Sequence, residues 1–326
     1  MSLIDMHGGL GRIDGGYGFA INSPEFVIEF QHDENPSTTG WNYSGPDNYG
    51  ELIKEIIAQI STRFGITYSN LQISINQEIP PHIGLGSKTQ LALSIAQGLC
   101  ELKNLHPSIE ELTQLVRRGG TSGVGYRIFA EGGFVLDGGH SFGPGKEKTT
   151  FLPSSASRAP PPPTLLRYPL NAAWRILLIT LHVKPGANKQ EEVDIFQRHC
   201  PVKASDVAEI SHRILMLLLP GFAQQNLEWI AQAQRFINHH GFKAIELGLQ
   251  HIAVQELLRW IEETYPYPSG MSSFGPTLYL IAPTDVDANS LKNEIQTKIS
   301  NSYQNIGGSI SIVQPRNTGS INEDIG

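Results

Sequence analysis

The chain has 326 residues, 40% of them hydrophobic and 17% charged, with a net charge of −7. This composition excludes a disordered chain, allows one large core or two smaller ones, and argues against a dedicated nucleic-acid surface while leaving room for a local basic pocket that binds phosphates. Cys100 and Cys200 make neither a metal spacing nor a disulfide framework, which fits a reducing cytoplasm, and the longest apolar stretches, such as 214–219, fall far short of the roughly 20 residues a membrane helix needs.

In chain order, residues 26–30 (Phe-Val-Ile-Glu-Phe) and 71–75 read as strands. Between them, Leu52, Ile56, Ile60 and Phe64 recur at helical spacing within 47–64. A glycine loop, Pro80-Pro81-His82-Ile83-Gly84-Leu85-Gly86-Ser87-Lys88-Thr89-Gln90, leads into a helix over about 89–102. Ser108, with Glu111 three residues on, marks the N-terminus of a helix over 109–118. A second glycine cluster spans 119–125, and 134–136 is a short buried strand. Residues 143–170, with the proline run 160–163, read as an extended linker.

The second half opens on an apolar strand over 174–181. Helical segments follow at 206–219, 226–239 and 252–265, then a strand at 277–282, a helix at 287–301 and a strand at 309–313. This order predicts an α+β domain with helices on one face of an antiparallel sheet.

Two features carry chemistry. The glycine loop brings backbone close to a ligand and opens a helix whose first N–H groups lack internal partners, a ready anion site. It is neither a P-loop, because Ser87 stands where glycine must precede lysine, nor a dinucleotide fingerprint, because Thr89 replaces the third glycine. Near the other end, Gly270-Met271-Ser272-Ser273-Phe274-Gly275-Pro276 is a turn of small residues suited to close backbone approach. Asp5, Arg12 and Asp14 flank a glycine-rich N-terminal turn. The two aspartates are hard-oxygen ligands suited to Mg²⁺, and Arg12 is suited to a bidentate grip on a carboxylate or phosphate. For Asp14 a plain turn role, and for Arg12 a surface ion pair, remain equal alternatives. His82 and His140, each beside a glycine turn, are candidate proton donors, with a structural role as the equal alternative.

Residues 80–88 resemble P-x-x-x-G-L-G-S-S, the second motif of the GHMP kinase superfamily, with Lys88 in place of the second serine. Residues 270–277 resemble its third motif. In several of these kinases a Ser-Gly-Val stretch ends in the catalytic aspartate, whereas Ser122-Gly123-Val124 here ends in Gly125. Together with 3–6, 11–16, 137–140 and 153–158, these motifs resemble the β-ribofuranosylaminobenzene 5'-phosphate synthase family over nearly the whole chain.

That resemblance implies a GHMP-kinase-like two-domain α+β fold, with a ribosomal S5-like part over 1–165 and a ferredoxin-like part over 166–326. It implies a cytoplasmic, homodimeric phosphoribosyltransferase of methanopterin biosynthesis. The enzyme would use Mg²⁺ to join phosphoribosyl pyrophosphate to 4-aminobenzoate or 4-hydroxybenzoate with loss of pyrophosphate and CO2. Lys88, His82, Asp14 and His140 would be catalytic. Gly84, Leu85, Gly86, Ser87, Thr89 and Gln90, with Gly120, Thr121, Ser122 and Gly123, would bind phosphate. Asp5, Arg12, Arg117, Ser272 and Ser273 would bind substrate, and Asp5 and Asp14 the metal. An ATP-dependent small-molecule kinase and a non-catalytic phosphometabolite-binding homologue are the alternatives. Relative to the family pattern the strand before Asp5 is almost absent, which implies a truncated or alternative start.

Overall fold

The computed structural model describes residues 2–32, 40–184 and 189–324. Its first half contains β1 (Ser2–Asp5), β2 (Arg12–Phe19), β3 (Val27–His32), β4 (Trp41–Ser44), α1 (Gly50–Phe64), β5 (Leu71–Gln77), α2 (Ser87–Glu101), α3 (Ile109–Leu115), α4 (Val124–Glu131), β6 (Phe134–Asp137), β7 (His140–Ser141) and β8 (Thr164–Tyr168). One sheet runs β1-β2-β6-β8 with β7 beside β2, and a smaller one runs β3-β5-β4. Ile53, Ile56, Ile57 and Ile60 of α1 pack with Leu91, Ile95 and Leu99 of α2 against Leu71, Ile73 and Ile75 of β5. Helical and strand periods thereby meet on one apolar surface. The left-handed Gly65 closes α1.

The second half contains β9 (Arg175–Leu181), α5 (Lys189–His199), α6 (Ala204–Arg213), α7 (Leu219–Ala223), α8 (Leu227–Asn238), α9 (Gly241–Gly248), α10 (Ile252–Thr264), β10 (Ser269–Met271), β11 (Thr277–Ala282), α11 (Asp285–Ser302) and β12 (Gly308–Val313). Its antiparallel sheet has the order β10-β11-β9-β12.

Successive residues of β9 and β11 feed different cores. Leu177, Ile179, Leu278 and Leu280 join α10 and α11, while Ile176, Leu178, Tyr279 and Ile281 join α8 and the first sheet through Tyr17 and Phe134. The sheet is therefore buried on both faces, not one, which is why β11 reads as an unbroken apolar run. No helix among the described residues is long and apolar enough to cross a membrane.

Residues 143–170 are not a loose linker. Strand β8 pairs with β6, and the second sheet begins only at Arg175. The proline run lies against the preceding glycine turn: Pro162 O accepts from Tyr126 Oη at 2.7 Å and Pro163 O from Gly138 N at 2.8 Å. Extended backbone leaves its carbonyls outward, so neighbours can satisfy them. Strands β1 and β2 were also absent from the sequence reading. Glycines interrupt the alternation of β2, whose position is set by pairing with β1 and β6. Helices α5 and α9 were likewise missed.

Candidate active site

Three glycine-rich segments, far apart in sequence, line one cleft of about 1570 Å³ between the halves: residues 84–90, the 119–125 turn and 272–275. Ser272 Oγ donates to Gly84 O at 2.9 Å, Gln90 Nε2 to Gly125 O at 2.9 Å, and Arg118 Nε to Thr89 Oγ1 at 3.0 Å. Gly84 has φ +91°, and a Cβ there would lie 2.1 Å from Ser272 O. Gly84→Ala should therefore cost roughly 2–5 kcal/mol, the sum of left-handed strain and overlap with backbone. A fall in denaturation midpoint measures it, and an unchanged midpoint would show that the loop contact is not needed.

The loop passes into α2 through Gly86, a left-handed N-cap (φ 71°) with no side-chain cap. The amides of Thr89 and Gln90 turn back to Gly86 O, so the helix opens on its own backbone, where the dipole favours an anion. Lys88 is exposed at this turn, and Ser87 is buried beneath it. Partial desolvation, reinforced by the Lys88 charge, lowers the pKa of the exposed His82 imidazole from its ordinary value, which favours its neutral form.

Of the residues expected at the site, His82, Gly84, Leu85, Gly86, Ser87, Lys88, Thr89, Gln90, Thr121, Ser122, Ser272 and Ser273 line the cleft. Asp5, Arg12, Asp14, Arg117, Gly120, Gly123 and His140 do not. Asp14 and His140 are fully buried: His140 Nδ1 meets Asp14 Oδ2 at 2.6 Å, and its Nε2 meets Pro160 O at 2.9 Å. Lys148 Nζ reaches the same Asp14 oxygen at 2.8 Å and also Gly120 O and Leu152 O, both at 3.2 Å. This trio sits behind the 119–123 turn rather than facing ligand. Asp5 Oδ1 accepts from the amides of His7 and Gly8 at 2.8 and 2.9 Å, a turn cap. Arg12 spends its guanidinium on Gly138 O and Gly139 O.

Asp5 and Asp14 are register partners across β1 and β2, the first holding a turn and the second paired with Lys148 and His140. No cluster of three or more His, Cys, Asp or Glu able to hold a metal ion exists among the described residues. Gly123 N and Ser122 Oγ donate to Asp137 Oδ2 at 2.8 and 3.3 Å, fixing the turn from below. Burial is the largest influence on that carboxyl and pushes it up to about 6.

Of the Arg117–Arg118 pair, the sequence reading chose the wrong member for the cleft. Helix α3 stops at Leu115, and Arg117 turns left-handed (φ 55°). That twist sends Arg117 to solvent and an ion pair with Glu55 at 3.4 Å, and puts Arg118 in the cleft. Burial lowers the Arg118 pKa from its ordinary value.

Glu192 on α5 and Glu246 on α9 also line the cleft and were missed. Burial raises the pKa of Glu192, against the opposing influence of Ser155, Lys88 and Arg118. The only local signals were Glu192 and Phe196 at i, i+4 and Phe242 and Glu246 at the same spacing, neither of which says which face meets a ligand.

Comparison with known proteins follows this geometry. Residues 51–130, which include the glycine loop and the second turn, match the GHMP kinases N terminal domain. A homoserine kinase from Cytophaga hutchinsonii has the same fold at a TM-score of 0.67 and 15% identity, covering 97% of this chain and 93% of its own. Mevalonate kinase from L. major, solved with R-mevalonate, follows at 0.63 and 13%, with 92% and 90% covered. Curated relatives are nearer in sequence. The β-ribofuranosylphenol 5'-phosphate synthase of Methanothermobacter thermautotrophicus is 34% identical over 86% of this chain and 85% of its own. Those of Methanocaldococcus jannaschii and Archaeoglobus fulgidus are 36% and 35% identical over 86% and 91% of this chain, and 85% and 88% of their own. At this identity and coverage, on a GHMP-kinase fold, the chain belongs to the β-ribofuranosylphenol 5'-phosphate synthase family.

Proposed function

We propose that the protein transfers the phosphoribosyl group of phosphoribosyl pyrophosphate to the carboxyl-bearing ring carbon of 4-hydroxybenzoate, releasing pyrophosphate and CO2, as a cytoplasmic step of methanopterin biosynthesis. The observation that carries this reading is a phosphate-type loop, complete with its helix terminus and Lys88, in a chain related over most of its length to synthases named for a ribofuranosylphenol phosphate. A phenol product points to 4-hydroxybenzoate ahead of 4-aminobenzoate.

The bonds balance without a proton leaving the ring. The C1'–O bond to pyrophosphate breaks, the ring carbon bonds to C1', and the ring–carboxylate bond then breaks, its electron pair restoring aromaticity as CO2 departs. The developing charge on pyrophosphate needs fixed cations and N–H donors. In this reading Lys88, Arg118 and the α2 terminus, all lining the cleft, supply them. A Mg²⁺ ion accompanying the substrate would add to that charge neutralisation; among the described residues no cluster of three or more His, Cys, Asp or Glu would hold one by itself. Asp14 acts from behind, by holding the Lys148 ammonium that bonds Gly120 O, and His140 braces Asp14 against Pro160 O.

Phosphoryl transfer is the weaker reading. Where the kinases' Ser-Gly-Val motif supplies aspartate stands Gly125, and a Cβ there would lie 3.2 Å from Thr89 Cγ2 at the phosphate loop. Incubation with phosphoribosyl pyrophosphate, Mg²⁺ and carboxyl-labelled 4-hydroxybenzoate should release labelled CO2 in step with pyrophosphate. ATP with common small alcohols should give no phosphoryl transfer. Alcohol-dependent ATP turnover without CO2 release would replace the synthase reading with the kinase one.

A further inference from the structure

The cleft has an aromatic, acidic region that phosphate binding does not use. Phe196 and Phe274 line it, and both rings meet Phe242 behind them, at centroid distances of 4.7 and 6.2 Å. Glu192 lies one helical turn before Phe196 on α5, and Glu246 one turn after Phe242 on α9, so each carboxylate stands beside a ring of this cluster. The two glutamates are close enough that the Glu246 charge helps to raise the Glu192 pKa, behind the larger effect of burial.

Glu246 is tied down. Lys243, fully buried, ion-pairs with it and donates to Ser273 O at 3.1 Å. Glu192 accepts a 3.3 Å bond from Ser155 Oγ, and its cationic neighbours Lys88 and Arg118 are those assigned to phosphate above.

We propose that this region seats the aromatic ring of the acceptor, with the ring against Phe196 and Phe274 and its para hydroxyl or amino group donating a hydrogen bond to Glu192. The proposal rests on the synthase reading and deepens it. A carboxylate is an acceptor only. It takes a para donor of either kind and disfavours para groups that cannot donate. With Glu246 paired to Lys243, the Glu192 carboxylate is the charge that repels the benzoate carboxylate, so the ring is turned with its carboxyl-bearing carbon away from Glu192. Orientation of this kind is what a ring-carbon attack demands.

The test uses the full chain, with equilibrium binding of 4-hydroxybenzoate and of 4-methylbenzoate, its near-isostere without a para donor, measured by calorimetry. The unmodified protein should favour 4-hydroxybenzoate by about tenfold or more, the value of a hydrogen bond to a charged acceptor. Glu192→Met should bring that ratio close to one while keeping its thermal midpoint. Glu192→Gln, which retains a neutral acceptor, should fall between. Phe274→Ala should weaken both ligands without changing their ratio. A ratio near one in the unmodified protein, or an unchanged ratio in Glu192→Met, overturns the subsite. Labelled CO2 release is read separately. Discrimination without CO2 release keeps the ring subsite and removes the synthase reading, and CO2 release without discrimination does the reverse.

Discussion

Lys88→Ala is expected to lower turnover by about 10²–10³, equivalent to roughly 2.7–4 kcal/mol, the range for removing one group that stabilises developing negative charge. Folding stability should change little, because Lys88 is exposed on the first turn of α2 and exposed charges contribute at most about 1 kcal/mol. Lys88→Met keeps much of the stem and removes only the charge, so it should match the alanine variant. The measurement is kcat and kcat/KM for phosphoribosyl pyrophosphate, with denaturant midpoints alongside. A contact made chiefly in the transition state lowers both kinetic constants together, whereas a ground-state contact raises KM alone. If both variants turn over normally at saturating and limiting substrate, Lys88 is a solvated side chain, and Arg118 with the α2 amides must carry the phosphate charge.

Lys148→Met should destabilise the fold by about 3–5 kcal/mol, the usual consequence of leaving one member of a buried ion pair without its partner. Lys148 Nζ and the Asp14 carboxylate are 2.8 Å apart with almost no exposure on either side. Asp14 Oδ1 is buried with no hydrogen-bond partner among the described residues, so without Lys148 the carboxylate is left with His140 Nδ1 on Oδ2. The same ammonium also holds Gly120 O and Leu152 O, so its loss frees the 119–123 turn from behind. Activity measured well below the melting range should therefore fall as well, through weaker phosphate binding. The double variant Asp14→Asn, Lys148→Met removes both charges and should recover much of the lost stability. Chemical denaturation of the two variants reads this directly, and a Lys148→Met cost under about 1 kcal/mol would mean that water reaches Asp14.

The two predictions separate what this chain declares locally from what it does not. The glycine loop was legible because its requirements are local: a left-handed turn at Gly84 and Gly86, then an apolar run that starts a helix. Strand β11 was legible for a similar reason, as an unbroken apolar run; helix α11, expected from 287, begins at Asp285 because Thr284 caps it, its hydroxyl accepting from Asp287 N at 3.3 Å. The proline run was misread because composition reports extended backbone and not what lies beside it. There the Tyr126 hydroxyl and Gly138 amide use its carbonyls.

The site divides along the same line. Sequence by itself determined that three small-residue turns exist and that one opens a helix, since backbone conformation is set within a few residues. Tertiary structure alone decided which charges meet. Asp14, His140 and Lys148 are more than a hundred residues apart at their widest separation, and packing buries them together away from the cleft. One left-handed residue exchanges Arg117 for Arg118 at the ligand side. Glu192 and Glu246 become neighbours only because α5 and α9 meet through Phe196 and Phe242. Charged side chains carry no periodic signal of their partners. Their roles follow from burial and distance, which exist only once the two halves have closed on each other.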